Sequence, residues 1–305
     1  MAKILVNRAP VSGPWGGGNK TVQCLCEALQ NAGHDVVHSL QHSIDLLICI
    51  DPRGSGAMPS GQDICRYKEQ YGAKVIQRVG DVGSHGKPHL TGMVKEMVNQ
   101  SDFIIFPSLW AKDYINYQKN NFKIIHNGPL EVFYRFRKDN NKNETISLIT
   151  HHWSPNPRKG YALYQDLDSE INNLNMKFTY LGRLQPGISL KNAKYIPPIG
   201  DNNQIAKILS EHNIYLTASE EEAGANHVLE AMAAGLPVVY RDNGGSINEY
   251  CSDFGESYST FEEMINIIKV VNSNYEFYKK KVLSYNNNIN KVINEYLKVI
   301  NELQN

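Results

Sequence analysis

Two glutamates, Glu222 and Glu230, stand with seven residues between them in the stretch Ile214–Tyr240, IYLTASEEEAGANHVLEAMAAGLPVVY. A carboxylate can accept two hydrogen bonds from a vicinal diol such as a ribose. Each charge-assisted bond is worth about 1.5–3 kcal/mol when sheltered from water. The stretch reads as strand (Ile214–Thr217), acidic loop (Ser219–Ala225), helix (His227–Ala234) and strand (Val238–Tyr240). Asn226 is a preferred N-cap residue, and Gly235 with Pro237 behind it is the expected stop. This reading puts Glu230 in the first turn of the helix and Glu222 on the loop entering it, both at one end of a sheet. The helix N-terminus itself offers partial positive charge to a phosphate. Carboxylates for sugar hydroxyls and a dipole for phosphate describe a nucleotide-sugar site. An ordinary acidic loop before a helix would account for one glutamate, but poorly for the whole string.

Other reactive residue types carry less. The loop Gly16-Gly17-Gly18 lets backbone N–H groups approach a phosphate or an acceptor closely; taken alone it is a strand-to-helix turn. Asn19 separates its last glycine from Lys20, so the P-loop spacing fails, and no GxGxxG fingerprint is present. His85 and His89 are four apart, but Pro88 spoils a helical zinc pair. His34, His38 and His42 share that spacing in a segment that reads as strand, so they are read as surface histidines. His151-His152 ends a strand and serves either a cleft or the core. Cys24, Cys26, Cys49, Cys65 and Cys251 are odd in number and scattered, which suits neither a disulfide framework nor a zinc site.

The elements that must position these groups alternate along the chain. Short apolar runs at Ile4–Val6, Asp35–Val37, Asp45–Ile50, Lys74–Val79, Phe103–Pro107 and Phe122–His126 are separated by longer amphipathic stretches, the first from Lys20 to Ala32. The pattern restarts at Ile146–Thr150, Lys177–Leu181, Ala193–Ile196, Ile214–Thr217 and Pro237–Tyr240. Such alternation predicts parallel sheets covered on both faces, with ligands beyond the carboxyl ends of the strands. The polar run Lys138–Thr145 marks the boundary. The expected organisation is residues 1–140 as a first Rossmann-like domain, 141–275 as a second, and 276–305 as a helical tail.

Composition sets the outer limits. With 305 residues, 41% of them hydrophobic, and 31 basic against 31 acidic side chains, the chain can build about two packed domains and carries no global field for nucleic acid. The opening Met1–Val6 run is too short for a signal peptide, and no stretch reaches the length of a membrane span. A cytoplasmic protein is expected, compatible with peripheral membrane contact.

The ordered motifs resemble those of one family. Glu222 and Glu230 with GLPVV behind them are similar to the E-x7-E signature of family 4 glycosyltransferases. Gly16–Gly18, Gly33-His34-Asp35-Val36, Ser101-Asp102, His126-Asn127-Gly128 and Lys159-Gly160 follow that family's order along nearly the whole chain. The resemblance implies an α/β GT-B fold, two doubly wound Rossmann-like domains facing across a cleft. It implies a retaining transfer of a hexosyl group from a nucleoside-diphosphate sugar to a saccharide or glycoconjugate acceptor, with no obligatory metal or other cofactor. It assigns Glu230 to the donor ribose, Glu222 to the transferred sugar and Lys159 to the diphosphate. Arg78 takes the place of a family histidine near the sugar or phosphate, and Asp81 and His85 fall on the acceptor side. Gly16, Gly17, Gly18, Arg158, Asn226 and Ile199 complete the donor site, Arg158 or Arg183 standing for a family arginine absent from its usual place. Two alternatives remain at this level: a sugar-nucleotide-binding scaffold without turnover, and an NAD-dependent oxidoreductase.

Overall fold

A computed structural model describes residues 1–11, 13, 17–137 and 145–304. The chain forms two compact units that part at Asn127/Gly128; the segment from Ile289 onward returns to the first unit. The boundary run Lys138–Glu144 and Gly16 lie outside the described residues.

The first unit is a parallel sheet of β1 (Lys3–Val6), β2 (Asp35–Val37), β3 (Leu46–Cys49), β4 (Lys74–Arg78), β5 (Phe103–Phe106) and β6 (Phe122–Ile124), in the order β2-β1-β3-β4-β5-β6. Its helices are α1 (Gly17–Asn31), α2 (Gly61–Tyr71), α3 (Pro88–Gln100) and α4 (Leu109–Ile115). All four residues of β3 are buried, as a central strand covered on both faces requires. Ser60 and Asp63 form a reciprocal capping box on α2, and Gly33, with φ of 84°, follows α1.

The second unit repeats the plan with β7 (Ile146–His152), β8 (Met176–Gly182), β9 (Lys194–Ile196), β10 (Ile214–Thr217), β11 (Val238–Arg241) and β12 (Gly255–Tyr258), in the order β12-β11-β10-β7-β8-β9. Helices α5 (Tyr161–Glu170), α6 (Asn202–Ser210), α7 (Asn226–Ala233), α8 (Ser246–Cys251), α9 (Phe261–Ser273) and α10 (Tyr275–Leu283) accompany it. Apolar clusters around Tyr215, Val228 and Met232 and around Tyr164, Phe178 and Ile268 form its core. α11 (Ile289–Gln304) belongs to the first unit and buries Ile289, Val292, Ile293, Tyr296, Val299 and Ile300. The stretch 276–305 is thus divided between two bodies, α10 with one and α11 with the other, and Asn286–Asn288 lie in the break. Among the described residues no helix is long and apolar enough to cross a membrane.

Strand order changes direction between β1 and β3 in the first sheet and between β7 and β10 in the second. Loops leaving adjacent strands at such a point diverge to opposite sides and leave a crevice at the carboxyl edge.

Candidate active site

Lys159 and Glu222 meet at the switch point of the second unit. Lys159 ends a 3-10 turn (Pro157–Lys159) after β7, and Glu222 lies on the loop after β10. Sixty-three positions apart in sequence, they form a direct ion pair, Nζ to Oε1. Each side chain keeps 12% of its surface exposed, so the pair is sheltered but reachable.

The backbone explains this placement. The Glu220 N–H donates to the Arg158 carbonyl at 2.9 Å, tying the two loops together. The Glu222 N–H donates to Gly244 O at 3.1 Å, and the Ser246 N–H donates to Glu222 O at 2.8 Å, anchoring the acidic loop to the start of α8. Gly160 has φ of 81°, and a Cβ there would lie 2.3 Å from the Ala218 Cβ and 2.4 Å from its carbonyl oxygen. Only glycine lets the chain turn into α5 this close to the end of β10.

Glu230 occupies a deeper position, only 3% exposed. Its Oε2 accepts a hydrogen bond from His151 Nε2 at 2.8 Å. A carboxylate oxygen only accepts, so His151 donates from Nε2, and its Nδ1 lies 3.0 Å from the Tyr215 hydroxyl. The expected helix start is corrected: Ala225 is the N-cap, Asn226 is the first helical residue, and Glu230 therefore falls in the second turn. The Asn226 side chain bonds back to Gly224 O at 3.4 Å rather than capping the helix.

His227, not singled out from the sequence, and His152, which on sequence alone serves either a cleft or the core, complete this region. His227 Nε2 lies 3.1 Å from Thr217 Oγ1, and its ring is 4.9 Å from that of His152. Burial pushes the His227 pKa down to about 3; the nearby Glu222 charge opposes that shift, while Lys159 and His151 reinforce it. His152 Nε2 lies 2.9 Å from the Tyr164 hydroxyl, which also accepts from the Ala218 N–H at 2.9 Å. His227 sits next to Asn226 in the glutamate motif, a signal available in the sequence. The bond from His151 to Glu230 spans 79 positions and left no such signal.

Arg158 is 43% exposed and pairs with Glu220 at 3.2 Å and Glu221 at 3.3 Å. Arg241 also holds Glu220, at 2.6 Å. Arg183 donates to the Trp153 carbonyl at 3.1 Å. Ile199 is half-buried against the apolar cluster around Tyr215. In the first unit Arg78 is buried, Asp81 pairs with Lys87 at 2.7 Å, and His85 lies half-buried in the turn before α3. Gly17 and Gly18 are the first residues of α1 rather than a free loop. No group of three or more His, Cys, Asp or Glu suited to holding a metal ion occurs among the described residues.

This geometry can be compared with known proteins. Residues 160–261, all within the second unit, match the model described as glycosyl transferases group 1. No curated protein matches the chain in sequence. Among solved structures, the Thermosynechococcus elongatus sucrose-phosphate synthase aligns with a TM-score of 0.69 at 15% identity, over 99% of this chain and 98% of that one. Anabaena Alr3699/HepE, solved with UDP and glucose, aligns with a TM-score of 0.72 at 12% identity, over 99% and 100% of the two chains. WaaG, a glycosyltransferase involved in lipopolysaccharide biosynthesis, gives 0.60 at 15% identity, over 92% and 94%. The fold is that of the GT-B glycosyltransferases. Within this GT-B chain, the matched region carries Glu222 and Glu230 and begins directly after Lys159.

Proposed function

We propose that the chain is a retaining, family 4 glycosyltransferase that moves a hexosyl group from a nucleoside-diphosphate sugar to a saccharide or glycoconjugate acceptor. The observation that carries this reading is the Lys159–Glu222 pair at the β7/β10 switch point. It joins a cation suited to a diphosphate with a carboxylate suited to sugar hydroxyls. The UDP and glucose held by Alr3699/HepE, a protein of the same fold, add support.

In this reading the anomeric carbon–oxygen bond to the diphosphate breaks and its electron pair leaves on the phosphate oxygen. The acceptor hydroxyl bonds to the same face of that carbon, and its proton passes to the leaving phosphate oxygen. Negative charge therefore grows on the diphosphate, and a fixed ammonium at Lys159 stabilises that state more than the ground state. When the donor enters, the diphosphate competes with Glu222 for Lys159, and Glu222 turns to the sugar hydroxyls. Glu230, held by His151, receives the ribose diol. No protein base and no metal is assigned a step.

The test is release of nucleoside diphosphate from UDP-, GDP-, ADP- and dTDP-hexoses, with and without a mixed saccharide acceptor panel. Transfer by wild type, lost in Lys159→Met, is expected. Tight nucleotide binding with no turnover on any donor would favour a scaffold, and preference for NAD would remove the reading.

A further inference from the structure

A cavity of about 580 Å³ lies wholly within the first unit, at the carboxyl ends of β1, β3 and β4, where that sheet reverses its strand order. Much of its wall is hydrocarbon, from Val11, Val22, Pro52, Met58 and Leu90. The side-chain amides that could answer a sugar's hydroxyls are already committed or turned away. Asn19 Oδ1 accepts from the Val11 N–H at 2.9 Å, and its Nδ2 donates to Val11 O at 2.7 Å. Gln77 points to the opposite face of β4 from Arg78, and its amide atoms are enclosed.

The positive charge of the wall exceeds the negative. Arg8, Arg53 and Arg78 all line the cavity. Asp51 is shared between Arg53 at 2.7 Å and Arg8 at 3.5 Å, and Asp81 is held by Lys87 at 2.7 Å, so with Arg78 four cations stand against two carboxylates. Arg78 is 5% exposed and among the described residues forms no ion pair. Its Nη2 donates to Asn127 Oδ1 at 2.8 Å and its Nε to the Tyr296 hydroxyl at 3.3 Å, both neutral partners. Its Nη1 has no hydrogen-bond partner among the described residues and stands beside Gly80, another residue of the wall, where a Cβ would lie 2.5 Å from it. A sheltered guanidinium with a bare nitrogen, set among hydrocarbon, is completed by an oxyanion that carries apolar atoms with it.

We infer that this cavity holds the apolar, acid-bearing part of a glycoconjugate acceptor, its phosphate or carboxylate on Arg78 and its hydrocarbon against Val11, Val22, Met58 and Leu90. The inference rests on the proposed transfer reading and narrows it, since it makes the acceptor an amphiphile rather than a free saccharide. Burial of hydrocarbon supplies the affinity, and the guanidinium fixes which end of the ligand meets β4.

The experiment is calorimetric titration of the full chain with geranyl phosphate, phenyl phosphate, cinnamate and benzoate, with geraniol, glucose 6-phosphate and inorganic phosphate as controls. At least one apolar acid is expected to bind about tenfold or more tightly than every control, and the phosphate and carboxylate arms tell the two head groups apart. Arg78→Gln is expected to weaken that ligand by about tenfold or more. Val11→Asn is expected to weaken it by about threefold to tenfold. The Val11 side chain is half exposed and its bonds to Asn19 run through the backbone, so this variant should keep the melting temperature, and its loss of binding is not loss of fold. Any control bound as tightly as the apolar acids, no apolar acid bound, or binding unchanged in either variant would each overturn the inference. A parallel UDP, GDP and ADP titration of wild type separates the two ideas. Binding of an apolar acid without any nucleotide removes the transfer reading alone, and nucleotide binding without an apolar acid removes this one alone.

Discussion

Glu222 and Lys159 neutralise one another in a largely enclosed position, and that fixes how each should respond to substitution. Removing either partner leaves the other partly desolvated without compensation, which is more damaging than losing both. Glu222→Gln and Lys159→Met should each lower the transfer rate by about 10²–10³-fold, the cost of losing one preorganised group. Both should also lower the melting temperature, while the double variant Lys159→Met, Glu222→Leu recovers part of it; purely additive losses in that double-mutant cycle would contradict the coupling. Two buried histidines make a second residue-level prediction. Burial holds His227 down at about 3 and His212 at about 4. Both folded values lie below the unfolded value near 6.5, so over the interval between them the unfolded chain binds protons that the native chain refuses. Stability is full above pH 6.5 and falls on acidification, by up to about 1.4 kcal/mol per histidine for each pH unit. Urea unfolding at pH 7 and pH 5 measures this, and His212→Asn should flatten the difference. A profile level between those pH values would rule the burial argument out.

At the scale of elements, the turn at Gly160 and the return of α11 carry the most consequence. Gly160→Ala puts a side chain into a left-handed conformation and against Ala218, so the second unit should lose about 2–4 kcal/mol. Denaturant unfolding with wild-type midpoint would show that the turn tolerates a Cβ. A chain stopped after Asn288 loses the whole buried stripe of α11. Limited proteolysis of that truncated protein should cut the first unit readily while the second persists; an equally resistant first unit would contradict the assignment. The elements also show where sequence reading stops. Parallel strands covered on both faces are short apolar runs, so eleven of the twelve strands among the described residues stood out. β12, Gly-Glu-Ser-Tyr, did not, because an edge strand with two buried residues looks like a loop. The stripe on α11 announced a buried face but not which unit covers it, since a 3.6-residue period says nothing about its partner.

Across the whole molecule, both sheets reverse their strand order once, and Lys159 meets Glu222 at the reversal in the second. The pairing of Glu222 with Glu230 was legible because their spacing is local; Lys159, 63 positions from Glu222, was singled out only through the family resemblance. The Glu230–His151 bond was not legible, because it depends on distant segments meeting. Ligand-linked stability reads the donor site at this scale: a nucleoside diphosphate at a hundred times its Kd should stabilise the chain by about 2.7 kcal/mol. The most direct test of the central claim is calorimetric titration of wild type and Lys159→Met with UDP, GDP, ADP and dTDP, with NAD alongside. Saturable binding of at least one diphosphate, weakened about tenfold or more in the variant, with NAD much weaker, is the predicted result. No diphosphate bound by wild type, or binding unchanged when Lys159 is replaced, would contradict it.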